Sequence, residues 1–439
     1  MTNANPTARP RVLFLAYLFP PTGGGGVQRS LKFVKYLPDA GWDPVVLTVK
    51  PISYYVYDRS LLDELPPGIH IERTGSLDPL RMSAVLMRDG KRAAAAGRVQ
   101  HGVYSTGSTA VSWYRRVRPY VFFPDTQIGW IPFAVRRGLQ LIKRHRPSVI
   151  YSPGAPYSSA IAANLLSRLS GLPYVVDFRD GWTDDSYQIV PTELHRSAHR
   201  SLEGLVVTGA AGVCVYGKWL GDRLAERYPQ SASRIVEITN GFDPADLSDV
   251  APAPKPDGVR RIVYSGSLFP HHRDALKAVL RGVLRLSEQQ RRTLEVLFVG
   301  QAFDGASHEV AAAGLSDTVR FLGYLPHARA LSYLLSADAS LLLVRSGDRA
   351  SVTGKVFELL AAKRPILAAV EPEGECARIL RLACADRWIA APNDSEAIAA
   401  RMRDLFEANC PALDAAAVDQ FSRVRQTRTL ASMFDTAIA

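Results

Sequence analysis

Lys355 and Glu358 stand three residues apart, just after the apolar run 341–344 and a polar loop containing Gly347 and Gly354. If a helix begins at Lys355, that spacing puts both side chains on one face. A lysine in the first helical turn opposes the helix dipole. A bound anion removes the conflict, because the free N–H groups of a helix start are natural phosphate sites. A carboxylate beside the lysine offers acceptors to hydroxyls. A group for phosphate next to a group for hydroxyls suggests a nucleotide. The competing reading is a plain salt bridge on a surface helix.

Three further clusters could carry chemistry. Gly23, Gly24, Gly25 and Gly26 separate an apolar run from a helical pattern. They match neither G-x-G-x-x-G, since Gln28 stands at the last glycine, nor a Walker loop, but they let a ligand approach the backbone. Asp177, Arg179 and Asp180 directly follow the strand pattern 172–178. Charges at a strand's carboxyl end are costly unless satisfied, and α/β proteins keep functional groups there. A buried Arg–Asp pair fixing the loop is the alternative. Gly266 and Ser267 follow the strand pattern 261–265, and Arg273 stands where it could reach a diphosphate. His271 and His272 read as solvated loop residues, with no third ligand at metal-site spacing.

The elements that must position these groups alternate. Short apolar runs at 11–16, 43–49, 148–152, 172–178, 212–216 and 234–239 read as buried parallel strands. Helical spacing fills the intervals at 27–37, 158–170, 195–208 and 220–227. A second strand–helix series begins at 261 and runs to about 415. The fold class expected is α/β, with two halves facing a cleft and ligands at the strands' carboxyl ends. The expected domains are residues 1–245 and 260–415, with a proline-rich linker at 246–259 between them. A final helix at 416–439 could cross back to the first domain.

Size and composition agree. At 439 residues, two domains are the default. No apolar run approaches the roughly 20 residues of a membrane span, and the N-terminus lacks an apolar signal core, so no export is expected. Four scattered cysteines form no C-x-x-C pair, which fits a reducing cytoplasm. The net charge of +11 favours anionic partners. Between Arg81 and Arg118 there are eight basic residues and one acid, Asp89, interleaved with aliphatic and aromatic residues. This insertion, about 80–123, is expected to rest on an anionic membrane surface. The aromatic residues do not form a base-stacking platform, so nucleic acid is not expected as a partner.

Several motifs together resemble the GT-B fold retaining glycosyltransferases of family four. They are Pro20-Pro21 with Gly23 to Gly26 and Arg29; Asn240-Gly241-Phe242-Asp243; Val319-Arg320-Phe321-Leu322-Gly323-Tyr324; and Thr353-Gly354-Lys355-Val356-Phe357-Glu358, continuing through Pro365 to Glu371-Pro372-Glu373-Gly374. Asp177-Phe178-Arg179-Asp180-Gly181-Trp182 is similar to the Asp-Phe-Arg-Asp-Pro-Trp signature of one bacterial branch. The resemblance implies two Rossmann-like domains and transfer of a sugar from a nucleotide-diphosphate donor, UDP-linked before GDP-linked, to a lipid-linked or polysaccharide acceptor. It implies that Glu358 holds the ribose hydroxyls and that Lys355 and Arg273 neutralise the diphosphate. Gly24, Gly25, Gly266, Ser267, Thr353 and Gly354 would complete the donor site. Arg29, Trp130 and Tyr157 would face the acceptor, and Asp177, Arg179 and Asp180 would form the catalytic neighbourhood. No metal and no other cofactor is expected. Ala350 replaces a glutamate that usually contacts the donor sugar, and Asp177, Arg179 and Asp180 occupy the neighbourhood of a usual histidine. The other readings are a nucleotide-sugar epimerase of the same fold and a non-catalytic basic protein that binds membrane or nucleic acid.

Overall fold

The computed structural model describes residues 9–51, 57–78, 120–184, 190–407 and 413–439. The basic insertion, through residue 119, lies outside the described residues. The chain forms two α/β units: Met1–Thr239 with Thr427–Ala439, and Asn240–Gln426.

The first unit holds strands β1 (Arg11–Leu15), β2 (Asp43–Val49), β3 (His70–Thr74), β4 (Val149–Gly154), β5 (Tyr174–Phe178), β6 (Gly212–Val215) and β7 (Ile235–Glu237). They form one parallel sheet in the order β3-β2-β1-β4-β5-β6-β7. Helices α1 (Gly25–Tyr36), α2 (Ile131–His145), α3 (Tyr157–Ser170), α4 (Glu193–Gly209) and α5 (Lys218–Arg227) accompany it. Leu13 and Leu15 of β1 join one core with residues of α2 and α3, while Val12 and Phe14 join another with residues of α1. Burial on both faces is why β1 reads as an unbroken apolar run rather than an alternating one.

Sequence periodicity missed two elements here, β3 and α2. β3 is a half-buried edge strand, HIERT, too polar to stand out. α2 carries Pro132 in its first turn and Gly138 at its centre, both of which dilute a helical signature. Gly138 is there for space, since a Cβ would lie 2.7 Å from Leu166 Cδ1 of α3.

The second unit repeats the pattern with β8 (Arg260–Ser265), β9 (Leu294–Val299), β10 (Val319–Gly323), β11 (Ala339–Leu343), β12 (Ile366–Ala369) and β13 (Ile389–Ala390). Their order is β10-β9-β8-β11-β12-β13, again all parallel. Helices α6 (Arg273–Leu284), α7 (Glu288–Arg292), α8 (Ala306–Ala312), α9 (His327–Leu335), α10 (Lys355–Ala361), α11 (Glu375–Leu382), α12 (Ser395–Glu407) and α13 (Ala415–Asp419) belong to it. The order reverses between β1 and β4 in the first sheet and between β8 and β11 in the second, and ligand crevices form at such switch points.

The proline-rich stretch expected as a linker lies within the second unit. Ala253 N donates to Ser332 O at 2.9 Å, and Lys255 pairs with Asp338 at 2.7 Å. The last helical stretch is two helices, α13 and α14 (Arg423–Ile438), separated where Phe242 N donates to Phe421 O and Arg423 N to Phe242 O. Leu430 and Phe434 of α14 pack with Val12 and Phe14 of the first unit, and Trp42 Nε1 donates to Asp435 Oδ1 at 3.0 Å. Among the described residues no helix is long and apolar enough to cross a membrane.

Candidate functional site

In the second unit, the carboxyl ends of β8 and β11 bring the sequence candidates together. β11 leads through residues 344–354 into α10, which starts at Lys355. The Lys355 side chain runs across Gly266, just past β8. Gly266 has φ +118°, and a Cβ there would stand 3.0 Å from Lys355 Nζ. Only glycine fits that backbone and leaves room for the lysine. Lys355 Nζ donates to Tyr264 Oη at 2.5 Å and to Ser267 O at 3.0 Å, and it lies 4.5 Å from the Tyr264 ring centroid. Tyr264 Oη in turn donates to Ser267 O at 3.0 Å.

Lys355 and Glu358 do not make the surface salt bridge that their spacing allows. Among the described residues no carboxylate oxygen lies within 4.0 Å of Lys355 Nζ, and the Glu358 carboxylate has neither a hydrogen bond nor an ion pair. Burial pulls Lys355 down to about 8, against the opposing pull of Glu358. Burial pushes Glu358 up; His327 and Lys355 oppose this and Asp246 adds to it. Both groups are half-buried. A cation and a carboxylate held side by side, desolvated and without ionic partners, are an arrangement a ligand completes.

The neighbours of this pair differ from expectation. Arg273 does not join Lys355. Its Nε pairs with Glu309 of α8 at 2.6 Å and its guanidinium lies 5.3 Å from the Phe303 ring centroid. It lines a pocket of about 490 Å³ with Phe269, Gln301, Asp304 and Ser267, the residue whose carbonyl Lys355 meets. Nor is His272 a solvated loop residue: it is buried, and its Nδ1 accepts from Phe269 N at 3.0 Å. Burial, then the charges of His271 and Lys355, pull His272 down to about 3. His271 is pulled down by burial and by Arg345 and Lys355. Sequence reasoning missed Tyr264 as a neighbour of the lysine. A tyrosine at the penultimate position of an apolar strand was the one available signal. Thr353 Oγ1 accepts from Lys355 N at 3.4 Å, Ser267 supplies a carbonyl, and Gly354 is exposed at the start of α10.

The first unit has its own cluster at the carboxyl ends of β1, β4 and β5. Asp177 is 0% exposed, and Arg29 of α1 meets it through Nε at 2.7 Å and Nη2 at 2.9 Å. Tyr151 Oη donates to the same carboxylate at 2.6 Å. Arg29 also donates to Ile238 O and Thr239 O. The expected catalytic role of Asp177 and acceptor role of Arg29 are therefore corrected. The two form a buried, fully satisfied pair that joins α1 to β5 and the end of the first unit. Trp130 is likewise enclosed, its Nε1 donating to Thr74 Oγ1 at 2.8 Å. Tyr157 is buried and stacked on Trp182 at 4.6 Å. Neither ring is free to face an acceptor.

What remains open at the surface is the glycine turn with Arg179 and Asp180. Gly24, at φ +96°, precedes α1, which starts at Gly25. Arg179 donates through Nη1 to Gly26 O. A Cβ on residue 26 would lie 3.4 Å from that guanidinium nitrogen and 3.1 Å from Leu18 Cδ1. Asp180 is exposed.

Two Rossmann-like units of parallel strands, each with its candidate residues at a switch point, define the GT-B class. The comparisons agree. Residues 24–241 match the family model of the glycosyl transferase 4-like domain, and residues 259–408 match that of the glycosyl transferases group 1. No curated protein matches the chain. Among solved structures, a glycosyltransferase from Rickettsia africae is similar at TM-score 0.58 and 13% identity, covering 98% of this chain and 93% of that one. Anabaena HepE in complex with UDP is similar at TM-score 0.55 and 14% identity, covering 96% and 94%. A putative UDP-N-acetylglucosamine 2-epimerase from Listeria monocytogenes reaches TM-score 0.54 at 10% identity, covering 96% and 95%. At those identities the likeness is one of fold. The family models, between them spanning both units, make this chain a glycosyltransferase, with a glycosyl transferase 4-like first half and a group 1 second half.

Proposed function

We propose that the protein is a retaining glycosyltransferase that moves a hexose-type sugar from a UDP-sugar to a lipid-linked or polysaccharide acceptor in cell-surface glycan synthesis. The observation that carries this reading is the desolvated pair of Lys355 and Glu358, each without an ionic partner among the described residues. Lys355 would meet the diphosphate and Glu358 the ribose hydroxyls. In the transfer, the bond from the sugar's anomeric carbon to the diphosphate oxygen breaks. A bond to an acceptor hydroxyl oxygen forms with the same anomeric configuration. The hydroxyl proton leaves with the diphosphate. Negative charge grows on the leaving oxygen, and Lys355 stabilises it there. In this reading a lysine, rather than a metal ion, supplies the counter-charge. The complex of HepE with UDP, on the same fold, favours uridine as the base. Arg179 and Asp180 would serve the acceptor side of the reaction. The basic segment 81–118 would bring the protein to the cytoplasmic face of an anionic membrane, where lipid-linked acceptors reside.

Proton NMR of a UDP-sugar incubated with the protein tests the proposal. Acceptor-dependent glycoside formation with the anomeric configuration kept is the expected result. An inverted product refutes retention. An epimerised donor in the absence of acceptor would make the protein an epimerase, the class to which the Listeria fold relative is assigned by name. Steep, salt-dependent binding to random oligonucleotides without sugar turnover would favour a nucleic-acid role.

A further inference from the structure

Glu203, in the middle of α4, is 0% exposed, and nothing in the proposed chemistry uses it. A carboxylate so deep in a protein is costly unless several donors meet it. Four do. Thr183 N donates to Oε2 at 3.0 Å, and Thr183 Oγ1 to Oε2 at 2.9 Å. Arg227 Nη1 donates to Oε1 at 2.6 Å and Tyr228 Oη to Oε1 at 3.0 Å. Arg227 reaches on to Thr183 Oγ1 at 2.7 Å and, through Nη2, to Asp184 Oδ1 at 2.8 Å. Two of the four donors belong to one residue of the loop that follows β5.

The rest of that loop is held as tightly. Trp182 is fully buried, stacked on Tyr157 at an interplanar angle of 6°, and its Nε1 donates to His199 Nδ1 at 2.9 Å. Tyr157 Oη donates to Gly181 O at 3.2 Å. On the upstream side, Asp177 is fixed by Arg29 and Tyr151. Residues 177–178 and 181–184 are therefore anchored, and among the described residues of this loop Asp180 is the exposed one, beside the half-buried Arg179. Those are the two residues that meet the glycine turn and the solvent.

We infer that Glu203 is a positioning residue: through Thr183 and Arg227 it fixes the loop after β5, so that Arg179 stays on the Gly26 carbonyl and Asp180 stays at the site. This rests on the proposed function for what Arg179 and Asp180 do, but not for the coupling itself. A carboxamide at 203 keeps the volume and removes the charge that gathers Arg227, Tyr228 and Thr183. Loosening one end of so short an excursion frees Arg179.

Hydrogen exchange on the full chain with Glu203→Gln decides the matter. Amides in 178–184 and in 22–28 are expected to exchange roughly tenfold faster, with amides of the second unit unchanged. Turnover of UDP-glucose should fall by roughly tenfold or more at unchanged KM. The double variant with Arg179→Ala should be no slower than Arg179→Ala alone. Exchange changes confined to peptides around 203 and 227–228, or losses that multiply in the double variant, overturn the inference. Should Glu203→Gln fail to fold, Thr183→Val removes the hydroxyl contacts and spares the Glu203–Arg227 pair. It is expected to show the same spread with smaller amplitude, and exchange identical to wild type in 22–28 overturns the inference. A wild type that turns over no nucleotide sugar refutes the proposed reaction, and exchange still decides the coupling.

Discussion

Replacing Lys355 separates a binding site from a structural one. Burial holds its amine at about 8 instead of the ordinary 10.5. Keeping it charged in the folded protein at pH 7 therefore costs on the order of 3 kcal/mol. Its hydrogen bonds to Tyr264 Oη and Ser267 O return about 1 kcal/mol each. Methionine has similar length and no charge, and Tyr264 keeps its own bond to Ser267 O. Lys355→Met is thus expected to stabilise the protein at pH 7 by about 1 kcal/mol, or roughly 2–4 °C for a unit of this size. The sign reverses with pH. The folded value lies below the unfolded one, so between about 8 and 10.5 the unfolded chain holds the extra proton, and wild-type stability rises with pH across that window. The advantage of the variant should therefore vanish toward pH 10. The same change should weaken UDP binding by about tenfold or more, since a charge-assisted contact is lost. Thermal melts at pH 7 and 10 with calorimetric titration of UDP read both effects. A variant that melts lower at pH 7 and binds UDP as wild type does would refute the reasoning, because the lysine would then be a packing residue.

Gly266→Ala puts a Cβ at φ +118° into the Lys355 side chain; a loss of about 1–3 kcal/mol in chemical denaturation and weaker UDP binding are expected. Asp177→Asn leaves Arg29 buried without its counter-charge, and urea unfolding should show a loss of about 3–5 kcal/mol. Wild-type UDP affinity should be level below pH 8 and fall above it as Lys355 loses its proton, whereas in Lys355→Met calorimetry should find this dependence gone. Arg179→Ala should slow sugar transfer in a coupled UDP-release assay, because it removes the side chain that holds the Gly26 carbonyl of the glycine turn.

The alternation of strands and helices was readable because parallel strands buried on both faces are continuous apolar runs. β1, β5, β8 and β11 are nearly or wholly buried along their lengths. Lys355, Glu358 and Gly266 were readable because a lysine at a helix start and a glycine after a strand each break a local rule. What could not be read was where loop side chains point. Arg29 meets Asp177 across 148 positions, and nothing local marks either residue as the other's partner. Arg273 turns to Glu309 because α8 presents a carboxylate there, and a sequence reading had no means of placing α8 beside α6. His272 is buried by the way the chain folds back on Phe269, although a His-His pair in a polar stretch reads as solvated. β3 and α2 were lost because polar edge residues and an internal Pro and Gly mask their periodicity.

The central claim is a nucleotide-diphosphate site built on Lys355 and Glu358. Calorimetric titration of UDP, GDP and dTDP into wild type and Glu358→Ala tests it most directly. The expected result is saturable UDP binding by wild type and a loss of about tenfold or more in Glu358→Ala, as unpaired hydroxyls lose a charged acceptor. No binding of any of the three, or equal UDP affinity in the two proteins, would contradict it.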